Sequence, residues 1–231
     1  MRVVTTCHKA GFDCYGQRFL EGLENWPSHE LFFYAEGFDA DSKRCEDLEK
    51  LVAFKEKYKG FHPNSWQWDV VRFSNKVYAM HDAAYDCEDL IVWCDADCYA
   101  HEKIPDGYIE NLLPKDCFLA YFRRKGIHSE LGFWLMDGKH PEKKAFLDTW
   151  LSWYETGMFK DLRQWHDCES FDATVRLFLR RDRFKVHSLS GAFEKDMHPM
   201  AKVELARWLD HTKGGRKDMA HSPENVYVRQ S

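Results

Sequence analysis

Apolar residues fall into short runs separated by charged or glycine-containing stretches, the alternation of strands and helices expected of an α/β fold. Residues 2–7 form a β-branched run halted at His8-Lys9-Ala10-Gly11, which predicts a first central strand followed by a loop. Residues 15–26 put Phe19, Leu20 and Leu23 on one stripe at helical spacing, and Pro27 ends that helix. Glu30–Glu36 then reads as a second strand, so the opening is a β-α-β unit of parallel strands.

Residues 41–59 are heavily charged and predict a surface helix. Residues 66–85 predict a long amphipathic helix carrying Trp68, Val71, Phe73, Val77 and Met80. It leads into Leu90–Cys94, which is apolar without alternation, as a strand covered on both faces must be. That strand ends abruptly on Asp95-Ala96-Asp97. Beyond it, residues 101–105 read as a loop, 117–122 and 129–136 as strands and 141–154 as a helix. Residues 164–172 head a further helix running to residue 180. The tail, residues 205–231, is polar, basic and glycine-containing; it carries an H-x-x-G-x-x-K motif over residues 211–217, and a flexible basic tail is the bland alternative. The whole pattern predicts a single α/β domain over residues 1–231, Rossmann-like, with a mostly parallel central sheet flanked by helices.

Composition narrows the class. At 231 residues and 44% hydrophobic, with nine Trp and seventeen Phe, the chain has enough apolar surface for one large core and too little length for two generous domains. No apolar run approaches a membrane span and the first residues lack a signal-peptide layout, so a cytoplasmic location is expected. The eight cysteines are scattered without a CxxC pair, which reads as reduced, mostly buried thiols, with Cys94 and Cys98 serving as packing. A net charge of −5 excludes a generally basic nucleic-acid-binding molecule. Three local clusters remain: Arg123-Arg124-Lys125, Arg180-Arg181 with Arg183 and Lys185, and Lys213 with Arg216 and Lys217.

The candidate chemistry gathers at the strand ends. Asp95 and Asp97, one residue apart, can converge on one divalent cation that clamps a diphosphate; the alternative is a solvated turn. In open α/β sheets ligands sit beyond the carboxyl ends of the strands, which makes Thr5, Thr6 and Cys7 candidates to line a nucleotide pocket. Arg72 and Lys76 share a helix face and can approach a diphosphate from the side, or form an ordinary solvated edge. Gly132 permits close backbone approach. Asp167 is either a helix cap or a catalytic carboxylate. The tail carries His211-Thr212-Lys213-Gly214-Gly215-Arg216-Lys217, or H-x-x-G-x-x-K, in which an imidazole can complete a carboxylate-bound cation, Gly214 lets the backbone come close and Lys217 offers a charge to a phosphate.

Taken together, these residues resemble the GT-A glycosyltransferases, which depend on a nucleotide-sugar and a metal. The resemblance rests on Thr5 and Thr6, the Arg72-Phe73-Ser74-Asn75-Lys76 helix, Asp95-Ala96-Asp97, Ser129 to Phe133, Trp165-His166-Asp167 and the H-x-x-G-x-x-K tail. It implies that Asp95, Asp97 and His211 hold Mn²⁺ or Mg²⁺ on the diphosphate of a sugar nucleotide, most simply a UDP-sugar. It further implies Lys217 near the phosphates, the tail closing over the donor, and base and ribose against Thr5, Thr6 and Cys7. Asp167 is the implied base of an inverting enzyme, or orients the sugar in a retaining one. The opening residues, the compact length and the tail look most like small bacteriophage glycosyltransferases, some of which glycosylate hydroxymethylated pyrimidines in double-stranded DNA. That makes 5-hydroxymethylcytosine the favoured acceptor, with a polysaccharide or protein as the alternative. Rival classes are a metal-dependent nucleotidyltransferase and a non-catalytic binding module.

Overall fold

The strands are β1 (Arg2–His8), β2 (Glu30–Glu36), β3 (Lys43–Arg44), β4 (Leu90–Cys94), β5 (Cys98–Ala100), β6 (Leu119–Phe122), β7 (Glu130–Asp137), β8 (Val186–Ser188) and β9 (Leu209–His211). This computed structural model describes residues 1–61 and 64–228, so the last three positions of the predicted tail lie outside the described residues. Seven strands form one sheet in the order β3-β2-β1-β4-β7-β6-β8, and β5 pairs with β9 in a separate ribbon. β1 runs parallel to both β2 and β4, whereas β7 is antiparallel to its neighbours β4 and β6. The sheet is therefore mixed and mostly parallel, as the sequence pattern predicts.

Two consequences position the site. The chain leaves β1 toward one side of the sheet and the other side is built later, so a crevice opens beyond the carboxyl ends of β1 and β4. Because β7 runs against β4, its amino end arrives at that same crevice, and the Asp95 amide donates to the Gly132 carbonyl at 2.7 Å.

Leu90–Cys94 lacks alternation for a physical reason. Ile91 and Trp93 pack into a core with Trp134, Phe146, Trp150 and Phe171, under the helices Val70–Ala84, Lys143–Glu155 and Asp167–Leu179. Val92 and Cys94 face the opposite core, with Phe19, Phe133, Leu205 and Leu209. Both faces are covered, so neither has a polar stripe.

Two local expectations need correction. The segment after β1 is no loop: His8 accepts a hydrogen bond from the Gly11 amide at 2.8 Å, and helical turns run from Lys9–Gly11 through Leu23–Asn25. The charged stretch 41–59 divides into β3, a turn at Cys45–Asp47 and the helix Glu49–Tyr58, which buries Leu51 and Phe54. Within the tail, Leu209–His211 pairs with β5, with His211 in register opposite Cys98.

Candidate active site

A cavity of about 550 Å³ occupies the crevice, within the size range of small-molecule sites. Thr6 and Cys7 line it from the end of β1, together with Tyr15 and Glu36. Thr5 does not reach it: the residue is fully buried, outside the lining, and its hydroxyl has no hydrogen-bond partner among the described residues. Burial, with Glu36 and Asp97 adding to it, pushes the Cys7 thiol up to about 12, so Cys7 presents a neutral wall.

The acidic turn and the tail meet here. Asp95, Ala96, Asp97, His211, Gly214 and Lys217 all line the cavity. A tight turn, closed by the Cys98 amide on the Asp95 carbonyl at 2.8 Å, delivers Asp97, and the β5–β9 ribbon brings His211 alongside. Asp97 Oδ1 lies 3.1 Å from His211 Nε2, and Asp97 Oδ2 lies 2.6 Å from Lys217 Nζ. Burial alone would raise the Asp97 carboxyl, but His211 and Lys217 hold it below the usual carboxylate range. Burial likewise opposes charge on His211, and Cys98 and Asp97 outweigh it, raising its pKa.

The donor set fits a divalent cation. Asp97 Oδ1 is buried, has no hydrogen bond of good geometry among the described residues, and faces His211 Nε2. Asp97, Cys98 and His211 present their donor atoms within 4.8 Å of one another. Carboxylate with imidazole suits Mn²⁺ as well as Mg²⁺, and the Lys217 ammonium is a stand-in positive charge on the Asp97 carboxylate.

Asp95 is held apart from that pair. Its Oδ1 accepts from Trp93 Nε1 at 2.6 Å and from Lys76 Nζ at 3.0 Å. Lys76 also lies 3.0 Å from Asp167 Oδ2 and donates to the Leu131 carbonyl at 2.7 Å. Lys76 is thus a buried clamp between two carboxylates rather than an exposed cation beside Arg72, because removing its charge from water demands that pairing. Arg72 is exposed and lines the cavity; it forms no salt bridge among the described residues, although its charge acts on the Glu36 carboxylate. Asp167 lies in the first helical turn, while His166 is the cap, accepting from the Glu169 amide at 3.4 Å. Burial opposes ionisation of Asp167, yet Lys76 and His166 keep its pKa low.

Several functional positions escaped the sequence pattern. Glu130 is buried, lines the cavity and contacts Lys213. Burial, with Arg124 adding to it, brings Lys213 down to about 8 even so. Trp66, half exposed, forms part of the mouth beside His128 and Phe73. A charged residue at the head of an apolar strand was the one available signal for Glu130. The basic clusters are less free than their composition implies: Arg124 faces Glu130, Arg216 pairs with Glu224, Arg183 with Glu142 and Lys185 with Asp116. His128, His166 and Cys168 also converge, but both His166 nitrogens have partners, Gln164 Oε1 at 2.7 Å and the Glu169 amide.

Among solved structures, the glycosyltransferase GlyE of Streptococcus pneumoniae superposes with a TM-score of 0.52 at 14% identity, over 99% of this chain and 59% of that one. A glycosyltransferase involved in glycosylating the major capsid of PBCV-1 gives 0.52 at 14% identity, over 94% and 97% of the two chains. The chain has the GT-A glycosyltransferase fold. The galactosyltransferase LgtC, solved with donor and acceptor sugar analogues, gives 0.50 at 15% identity over 96% and 84%. At these identities the likeness is one of fold, and the chain spans 59% of the length of GlyE. No protein-family model matches the sequence, and no curated protein matches it. Among the described residues no helix is long and apolar enough to cross a membrane.

Proposed function

We propose that this protein is a metal-dependent glycosyltransferase that moves a sugar from a nucleotide-sugar, a UDP-sugar in the simplest case, to a hydroxyl acceptor. The observation that carries this reading is the meeting of Asp97, His211 and Lys217 in a cavity at the carboxyl ends of β1 and β4 of a GT-A fold. Asp97 and His211 would hold Mn²⁺ or Mg²⁺, while Asp95, bonded to Trp93 and Lys76, would act on the ion from outside that pair. Such an ion supplies Lewis-acid stabilisation of the departing diphosphate. Lys217 adds a point charge to the same leaving group, and charge that grows as the glycosidic bond breaks is stabilised more in the transition state than in the ground state. Thr6, Cys7, Tyr15 and Glu36 form the wall against which base and ribose rest. The tail, with Lys213, Gly214 and Lys217, closes over the donor. Asp167, committed to Lys76 and held as a carboxylate, orients the sugar through its hydroxyls; its lowered basicity disfavours the role of acceptor base.

For the acceptor we propose the hydroxymethyl group of a 5-hydroxymethylpyrimidine in DNA. Support comes from the resemblance to small phage enzymes, from Trp66 at the mouth, on which a base can stack, and from the exposed Arg72 at the cavity wall. Arg124, Arg183, Lys185 and Arg216 are paired internally, which leaves Arg123, Lys125, Arg180 and Arg181, exposed and in no salt bridge among the described residues, to meet the phosphates of a duplex.

Incubation with a panel of sugar nucleotides and Mn²⁺ tests the reaction: release of nucleoside diphosphate is expected, and pyrophosphate from a nucleoside triphosphate would instead establish a nucleotidyltransferase. Mass spectrometry of hydroxymethylcytosine DNA, run beside neutral oligosaccharides and protein, tests the acceptor. A mass gain on oligosaccharide or protein alone removes DNA.

A further inference from the structure

Glu130 has no role in the reading so far, yet it stands where the two halves of the site are joined. It opens β7, its side chain is 6% exposed, and its carboxylate faces three positively charged or titratable groups. Lys213 is in contact, Arg124 Nη1 is 3.7 Å away and His211 Nδ1 is 3.7 Å away. The Gly132 amide donates to the same Oε1 at 3.2 Å, which fixes the carboxylate over its own strand. Two of the three partners, His211 and Lys213, belong to the tail.

The His211 ring is confined from below as well. A Cβ on Gly132 would stand 2.3 Å from His211 Cε1 and 2.6 Å from Nδ1, so the imidazole lies directly on the bare glycine. One nitrogen, Nε2, points to Asp97, and the other points to Glu130. An imidazole that ligates a cation through Nε2 must keep its proton on Nδ1. That proton needs an acceptor, and metal-bound histidines commonly use a carboxylate for it, which orients the ring and strengthens it as a ligand.

From this geometry we infer that Glu130 is a positioning residue for the cation site: its carboxylate takes the Nδ1 proton side of His211 and anchors Lys213, so that the tail presents Nε2 toward Asp97. In the structure as it stands the 3.7 Å separation is an electrostatic contact, longer than a hydrogen bond. The inference rests on the reading of Asp97 and His211 as cation ligands.

The test measures Mn²⁺ binding directly, by the loss of the free-ion electron paramagnetic resonance signal in the presence of UDP. Glu130→Met, close in volume but without an acceptor, is expected to weaken Mn²⁺ binding about 10- to 100-fold. Glu130→Gln, whose amide oxygen still accepts from Nδ1, is expected to return most of that affinity. Because Glu130→Met strands the Lys213 ammonium, the double variant Glu130→Met/Lys213→Met removes the ion pair whole and is expected to show the same loss in a folded protein. Parent-like Mn²⁺ affinity in folded Glu130→Met or in the double variant overturns the role of Glu130 and leaves the glycosyltransferase reading intact. No Mn²⁺ binding by the parent, with sugar-nucleotide turnover that persists in chelator, overturns the cation site at Asp97 and His211 and with it the role of Glu130.

Discussion

Asp97 Oδ1 and His211 Nε2 lie 3.1 Å apart, although one follows the fourth strand of the main sheet and the other ends the last strand of the chain. The short β5–β9 ribbon joins their neighbourhoods, pairing Cys98 with His211, and the Thr212 amide just beyond it donates to the Asp97 carbonyl at 3.2 Å. If that meeting is the cation site, Asp97→Asn and His211→Ala should each cut nucleoside diphosphate release by about 10²- to 10³-fold, the usual cost of removing one stabiliser of developing charge. Far-ultraviolet circular dichroism should stay unchanged. Parent-level turnover in either variant would remove the site from the mechanism.

Gly132 is the second lever on the same imidazole. An added methyl would meet His211 Cε1 at 2.3 Å, against a ring that is itself buried and cannot step aside. Gly132→Ala is therefore expected to cost about 1–3 kcal/mol of stability, as overpacking does, and to weaken Mn²⁺ binding. Gly60→Ala, where a Cβ meets nothing within 4 Å, is the comparison and should be nearly neutral. Urea denaturation of the two variants decides the matter.

How much of this was legible beforehand depends on range. The strand Leu90–Cys94 announced itself because burial on both faces removes every polar position, and Asp95 and Asp97 stood out as charges at its end. Thr5, by contrast, was indistinguishable from Thr6, since which side of a strand end faces a cavity is set by the neighbouring layers. Lys76 read as a surface cation because helical spacing reports a face, and the two carboxylates that justify its burial come from strand β4 and from the helix Asp167–Leu179. The seat of the tail was hidden for the same reason: nothing local in residues 209–211 names Cys98–Ala100 as their partner.

The Lys76 clamp gives a stability prediction. Its side chain is 8% exposed and that of Asp167 is 4% exposed, so Lys76→Met leaves a buried carboxylate without its counter-charge. Breaking one side of such a pair costs about 3–5 kcal/mol. Lys76→Met should lower the urea midpoint accordingly, and the double change Lys76→Met/Asp167→Asn should recover much of the loss. A single variant as stable as the parent would mean that water reaches Asp167.

Acid sensitivity should come from His166. Burial, reinforced by His128 and Arg124 and opposed by Asp167, lowers its pKa from 6.5 to about 4, so the folded protein holds it neutral where the unfolded chain protonates it. Its contribution is therefore complete above pH 6.5 and is lost as pH falls toward about 4, because the unfolded state binds the extra proton throughout that window. Each unit of separation is worth about 1.4 kcal/mol, so the full swing is on the order of 3 kcal/mol. His198, lowered to about 3 first by burial and then by His211, adds a slope of the same sign. His166→Asn keeps a good helix cap but has no titrating group. Unfolding free energies measured from pH 7 to pH 4 should accordingly fall less steeply in His166→Asn than in the parent, although His198, His128, His101 and His140, all lowered by burial, keep a slope of the same sign in both; parallel curves would show that His166 titrates alike in the folded and unfolded protein.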